Sequence, residues 1–235
     1  MTVPARPFRV AVIPTRDRHQ MVADCIDSVR AQVDAVYVID NRSIPPIDPT
    51  LWPEPPANGE AKVLCARYDL DPPNISNLWN VGVHLAEQAA FYADAEAWDI
   101  IVLNSDVIVP PGWVDALSAA MRDTTAALAF PDQSGGTTAV LHTEPGPVPL
   151  AQRVTGYAYM LRGEAGLRLD ESMAWWYSDD DLDWTARGRG GSLLVPGIPV
   201  QHLDPNGSMR DRPELHDQAA ADRQTFITKW GRAPH

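Results

Sequence analysis

Cysteine is scarce. The 235 residues hold two, Cys25 and Cys65, in segments that read as helix and strand and without CxxC spacing. That excludes a disulfide framework and offers no metal-ribbon motif, so both read as buried free thiols. Long apolar runs are lacking too: stretches such as Ile100-Ile101-Val102-Leu103 fall far short of the ~20 residues that span a bilayer. Positive charge is in short supply, with 19 Lys and Arg against 31 Asp and Glu and a formal charge of −12. This argues against a nucleic-acid backbone as partner and against docking on anionic lipid, although Arg187 and Arg189 fall close enough together to form a local basic cluster. The N-terminal Met1-Thr2-Val3-Pro4-Ala5-Arg6-Pro7 has no hydrophobic signal-like stretch, so the expected location is cytoplasmic and the Asn-x-Ser sequons at Asn41, Asn74 and Asn206 read as chance matches.

What is present is the composition of an ordinary globular domain, 45% hydrophobic and 21% charged. Phe8 to Ile13 is a β-rich run stopped by Pro14, and residues 17–32 carry Met21, Val22, Cys25, Ile26 and Val29 at helical spacing. Ala35-Val36-Tyr37-Val38-Ile39 then reads as a parallel strand buried on both faces, which closes a βαβ unit. A Pro-rich stretch over 44–58 reads as a surface loop. Further strands are expected over 61–66, 99–103, 126–130, 154–162 and 192–195. Helices are expected from Ser76 or Asn77 to Tyr92, over 113–121 and 181–188, and from Glu214 to Trp230; the Gly- and Pro-rich 131–149 reads as mobile. The expectation is one α/β domain: a ligand-binding half over about 8–108, a second half over about 109–205, and a helical tail over 206–235.

Open α/β sheets bind ligands beyond the carboxyl ends of their strands. Two such ends are polar, Asp40-Asn41 after Ile39 and Asn104-Ser105-Asp106 after Leu103. An acidic group there can hold a divalent ion against a diphosphate, because Mg²⁺ and Mn²⁺ prefer oxygen ligands and share phosphate oxygens. Read alone, Asn-Ser-Asp is equally an ordinary turn or cap. Asp179-Asp180-Asp181-Leu182-Asp183 is denser: four carboxylates in five residues either favour a solvated helix N-terminus or offer a base. His202, after Ile198-Pro199-Val200, is by itself more often a structural residue than a ligand.

In order, these pieces resemble a family 2-type glycosyltransferase with the GT-A fold, over roughly Arg9 to His202. Val12-Ile13-Pro14-Thr15-Arg16-Asp17-Arg18 is similar to the family's first strand and base-binding loop. Val38-Ile39-Asp40-Asn41-Arg42-Ser43 is similar to the strand whose terminal Asp reads the base. Asn74 to Gly82 resembles the helix start, with Asn80 and Gly82 best matched, and Leu103-Asn104-Ser105-Asp106 falls where the family keeps Asp-x-Asp. Thr155-Gly156-Tyr157 and Leu169-Asp170-Glu171 resemble the acceptor side. Asp180-Asp181-Leu182-Asp183, with Arg187 following, resembles Glu-Asp-x-Asp…Arg, and Val195 to His202 resembles the ending that supplies a metal-ligand histidine. Asn104 departs from the first Asp of Asp-x-Asp, Asp180 from the usual Glu, and Asn74 stands where glycine is common, a position compatible with a left-handed backbone.

The resemblance implies an inverting transfer from a nucleotide-diphosphate sugar to an acceptor hydroxyl, with Mn²⁺ or Mg²⁺. It makes Asp181 the general base and Asp106 and His202 the metal ligands. Pro14, Thr15, Arg16, Asp40, Asn80, Asn104 and Ser105 become the nucleotide-sugar contacts, and Gly156, Tyr157, Trp176 and Asp180 the sugar or acceptor contacts. Trp175 and Tyr177 share the potential to stack on sugars or fill the core. A sugar nucleotidyltransferase remains an alternative, disfavoured because Arg16 and Arg18 lie in a loop without glycines; so do a catalytically silent nucleotide-sugar or glycan-binding module and, more remotely, a paired-carboxylate hydrolase.

Overall fold

The structure, a computed structural model, describes residues 6–52, 61–205, 212 and 215–235. In chain order the strands and α-helices are β1 Phe8–Thr15, α1 His19–Val29, β2 Ala35–Asn41, β3 Lys62–Tyr68, α2 Ile75–Tyr92, β4 Trp98–Leu103 and β5 Val107–Ile108. They continue with α3 Trp113–Arg122, β6 Leu128–Pro131, β7 Val140–His142, β8 Ala158–Arg162, α4 Ser178–Arg187, β9 Ser192–Val195, β10 Gln201–His202 and α5 Leu215–Trp230. Eight strands form one sheet in the order β3-β2-β1-β4-β8-β6-β9-β7, and β10 pairs with β5 in a small second sheet.

The sheet is parallel from β3 through β4, with Val12 opposite both Tyr37 and Val102. It turns mixed where β8 runs antiparallel to β4 and β6, while β6 and β9 are again parallel. Side chains of a strand alternate between faces, and β1 shows it directly. Ala11 and Ile13 pack with α1 and α3 residues such as Cys25, Ile26, Trp113 and Leu117. Val10 and Val12 pack with Leu78 and Val83 of α2 and Leu182 of α4. Helices therefore cover both faces, which is why β1, β2 and β4 are apolar without alternation. Gly82 permits the close approach of α2 to the sheet, since a Cβ there would overlap the Val12 side chain.

Three local details depart from expectation. Helix α2 starts at Ile75 because Asn74, in extended backbone (φ −130°), accepts the Asn77 N–H at 2.9 Å; it is an N-cap, not a left-handed residue. Ser76 instead donates to the Met173 carbonyl at 2.6 Å. The Gly- and Pro-rich region after β6 contains β7, which pairs antiparallel with β9. The loop over 44–58 lies partly outside the described residues, as do Glu214 and the sequon at Asn206.

Helix α5 packs on the body. Phe226 and Trp230 contact Trp184 edge-on at 4.9 and 5.3 Å between centroids, and Phe226 is fully buried. Both cysteines are free; burial pushes the Cys25 thiol far up and the Cys65 thiol to about 11. No described helix is long and apolar enough to cross a membrane.

Candidate active site

From β1 the chain runs outward to β2 and β3, then returns across β1 to β4. That reversal is a topological switch point, and a crevice opens beyond the carboxyl ends of β1 and β4. A cleft of about 780 Å³ occupies it, a volume suited to a small-molecule ligand. One wall is the turn after β1, with Pro14, Thr15, Arg16, Asp17 and Arg18. The floor is Asn104, Ser105 and Asp106 after β4. The far wall carries Gly156, Tyr157, Trp175, Trp176 and Asp179, while β10 adds His202 and the stretch after it Asp204.

On the floor, Asp106 is buried and its two oxygens face different partners. Oδ2 accepts from Arg18 Nη1 at 2.8 Å, and Oδ1 lies 3.4 Å from His202 Nε2. The antiparallel pairing of His202 with Val107 brings that histidine, almost a hundred residues away in sequence, back to Asp106. Tyr157 stacks on the imidazole at 4.2 Å and fixes its plane. Cis ligands of an octahedral ion lie about 3 Å apart, so an Asp106 oxygen and His202 Nε2 can share one ion after a small adjustment. No group of three or more His, Cys, Asp or Glu is gathered for a metal among the described residues. A site with two protein ligands is of the kind that Mg²⁺ completes with water and substrate phosphates.

The four carboxylates of the acidic run have four different surroundings. Successive helix residues are rotated by about 100°, so neighbouring carboxylates face apart. Asp179 faces the cleft, where burial and the Asp180 charge push its carboxyl up to about 7 against the pull of Arg153. Gly156 makes room for it, because a Cβ there would overlap Asp179 Oδ2. Asp180 is buried and held by Arg153 in a two-pronged pair, with Nε donating at 2.6 Å. Asp181 turns away from the cleft. Its carboxylate accepts from Trp230 Nε1 at 2.8 Å and pairs with Lys229 Nζ at 2.8 Å; burial raises its pKa and these partners oppose the rise. Arg187 and Asp183 form a buried ion pair at 2.6 Å within α4.

The structure thus brings together ten of the residues singled out from sequence: Pro14, Thr15, Arg16, Asn104, Ser105 and Asp106 near the strand ends, and Gly156, Tyr157, Trp176 and His202 opposite. Four others are engaged outside the cleft. Asp181 is tied to α5 and Asp180 to Arg153, as above. Asp40 is consumed by the turn after β2, accepting from the N–H groups of Ser43 and Ile47 at 3.1 and 3.0 Å; its neighbour Asn41 lines the cleft instead. Asn80 fastens α2 to the segment before α4, donating to the Leu169 carbonyl and Glu171 at 2.9 Å and accepting the Leu169 N–H at 2.9 Å.

Sequence reasoning did not single out Asp17, Arg18, Trp79, Asp179, Asp204 or Arg212 as site residues, and all six line the cleft. Asp179 adjoins the assigned Asp180, where phase on the helix decides which neighbour points inward, and Arg18 lies two residues beyond Arg16 on the same wall. A further carboxylate organises the far wall. Asp222 of α5, buried, accepts the N–H groups of Ala174, Trp175 and Trp176 at 3.1, 2.9 and 2.8 Å and so fixes the segment that presents both tryptophans.

No protein-family model matches the chain, and no curated protein matches it in sequence. Solved structures do match. S. aureus TarS 1–349 superposes with a TM-score of 0.57 at 11% identity, covering 90% of this chain and 65% of that one. GalNAc-T7, solved with UDP, GalNAc and Mn²⁺, gives 0.60 at 15% identity, covering 86% and 45%. TarS 1–349 in complex with UDP-GlcNAc gives 0.52 at 11%, covering 83% and 60%. The chain therefore spans less than two thirds of the length of these proteins. With its mixed eight-stranded sheet, two helical layers and a cleft at the switch point, the chain has the GT-A glycosyltransferase fold.

Proposed function

We propose that the protein is an inverting glycosyltransferase that moves a sugar from a nucleotide-diphosphate donor to an acceptor hydroxyl. The observation that carries this reading is the opposition, across one cleft, of the Asp106–His202 pair and Asp179. One side offers groups for a diphosphate, the other a carboxylate poised as a base near neutral pH. Structural neighbours solved with UDP or UDP-GlcNAc support a nucleotide-sugar as donor.

In this reading the segment Pro14–Arg16, with Asp17, receives the nucleoside. Asp106 and His202 would hold Mn²⁺ or Mg²⁺, which would supply charge neutralisation at the leaving diphosphate. The acceptor enters along Trp175 and Trp176, whose ring faces suit a sugar or another ring-bearing acceptor. Its hydroxyl oxygen attacks the anomeric carbon from the face opposite the diphosphate, and Asp179 takes the hydroxyl proton. The bond from anomeric carbon to diphosphate oxygen breaks, and its electron pair leaves with the diphosphate. The configuration at that carbon inverts. Asp179, rather than Asp181, is the base in this proposal, because Asp181 spends its oxygens on Lys229 and Trp230.

The test is a thermal-shift screen of nucleotide-sugars with Mn²⁺, Mg²⁺ or EDTA, followed by turnover with the best donor. A ligand at 100 times its Kd stabilises by about 2.7 kcal/mol, so a true donor gives a clear rise in Tm. A flat response to every nucleotide-sugar, or full turnover by Asp179→Asn, overturns the proposal.

A further inference from the structure

The cleft floor contains a cation of its own. Arg18, at the start of α1, reaches across the mouth of β1 and places its guanidinium between two carboxylates. Nη1 donates to Asp106 Oδ2 at 2.8 Å, and Nη2 lies 3.5 Å from Asp204 Oδ2. Asp106 and Arg18 are both largely shielded, with 7% and 22% of their side chains exposed, so this pairing is poorly screened. The other Asp106 oxygen faces His202. Arg18, Asp106, His202 and Asp204 all line the same cleft.

Charge decides what this arrangement does. The Arg18 guanidinium answers the Asp106 charge directly and shares its second nitrogen with Asp204. A divalent ion seeking Asp106 meets a like charge already bonded to that carboxylate. It must also share the carboxylate, or displace Arg18 and desolvate where it stood. A nucleotide diphosphate changes the balance, because its oxygens accept a guanidinium fork as well as a carboxylate does. Arg18 can then exchange one anionic partner for another, and Asp106 becomes free for the ion.

We propose that Arg18 is a cation placeholder that couples metal to donor. Its bond to Asp106 competes with the divalent ion, and on donor binding it moves to the diphosphate and releases Asp106. This rests on the donor reading above and adds to it that ion and nucleotide bind cooperatively. Linkage then requires that UDP tighten Mn²⁺ binding by the same factor as Mn²⁺ tightens UDP binding.

The experiment is calorimetry on the full chain, with Mn²⁺ titrated into the protein alone and with saturating UDP, and UDP titrated with and without Mn²⁺. It is run for the wild type, Arg18→Gln and Arg18→Lys. For the wild type, UDP should tighten Mn²⁺ at least about tenfold, within the usual range of coupling between sites. Arg18→Gln should move the two affinities in opposite directions: Mn²⁺ alone binds about tenfold more tightly and UDP about tenfold more weakly, since one like charge and one phosphate partner are lost together. Arg18→Lys keeps the charge and should exclude Mn²⁺ nearly as well as the wild type, which separates loss of charge from disturbance of the fold. Unchanged Mn²⁺ affinity in Arg18→Gln, with UDP binding intact in the wild type, overturns this inference alone. Absence of UDP binding by the wild type under every condition overturns this inference, and the donor reading falls with it when every other nucleotide-sugar also leaves Tm unchanged.

Discussion

Replacing Asp179 by Asn removes the carboxylate of the tryptophan-bearing wall while keeping its size. Burial and the Asp180 charge hold this carboxyl at about 7, against an ordinary 3.8, so at pH 8 it is mostly ionised and at pH 6 only about one molecule in ten has the base ready. Turnover of the best nucleotide-sugar should therefore rise about tenfold per pH unit up to about 7 and level off above it. Asp179→Asn should lose about 10²- to 10⁴-fold at the plateau, the usual worth of a general base. The same shift has a thermodynamic signature that needs no acceptor. Between 3.8 and about 7 the folded protein holds a proton that the unfolded chain has released, so the contribution of Asp179 to stability is fully present below pH 3.8 and is lost as pH rises through about 7. At 1.36 kcal/mol per pH unit, the stability of the wild type relative to Asp179→Asn should fall by at most roughly 4 kcal/mol across that window, less to the extent that solvent screens the carboxyl. Urea unfolding of both proteins at several pH values between 4 and 8.5 measures it. A pH-independent difference in stability, together with a variant that turns over within threefold of the wild type, would refute the reasoning from burial to base.

Asp181→Asn should behave as a stability variant: it loses the charge facing Lys229 at a buried position and costs about 1–3 kcal/mol in urea unfolding, while donor affinity by calorimetry stays within about threefold of wild type. Gly156→Ala forces the Asp179 carboxylate aside, and displacement of a reacting group by about 1 Å can cost on the order of 10²-fold, so turnover should collapse while UDP binding persists. Asp222→Ala leaves three backbone N–H groups of the 174–176 segment without their acceptor, which should lower Tm and shift the tryptophan emission. Asp222→Asn retains one acceptor oxygen and should lose less.

Much of the fold was legible in the sequence, because it rests on local pattern. The apolar runs of β1, β2 and β4 and the helical spacing of Val22, Cys25, Ile26 and Val29 are written in adjacent residues, although β1 continues through Pro14, where the sequence suggested a stop, to Thr15. So was the region of the site, since polar residues after buried parallel strands mark the switch point. Asn104, Ser105 and Asp106 are in the cleft for that reason. The strands β7 and β10 were not legible as strands that pair. They have three and two residues, and their pairing depends on partners far away in the chain.

The sequence by itself placed a helix start at Asp181, three residues after the observed start at Ser178, and put Asp40 at the end of a strand. Only the tertiary structure decided which carboxylate faces the ligand. A helix turns each residue by about 100° and a strand flips each by half a turn, so the inward residue is set by how the element is rotated when it packs. Helix α5 captures Asp181, Arg153 captures Asp180, and the cleft keeps Asp179. The turn over 43–47 captures Asp40, and the Leu70 backbone holds the Asn41 amide at the cleft edge.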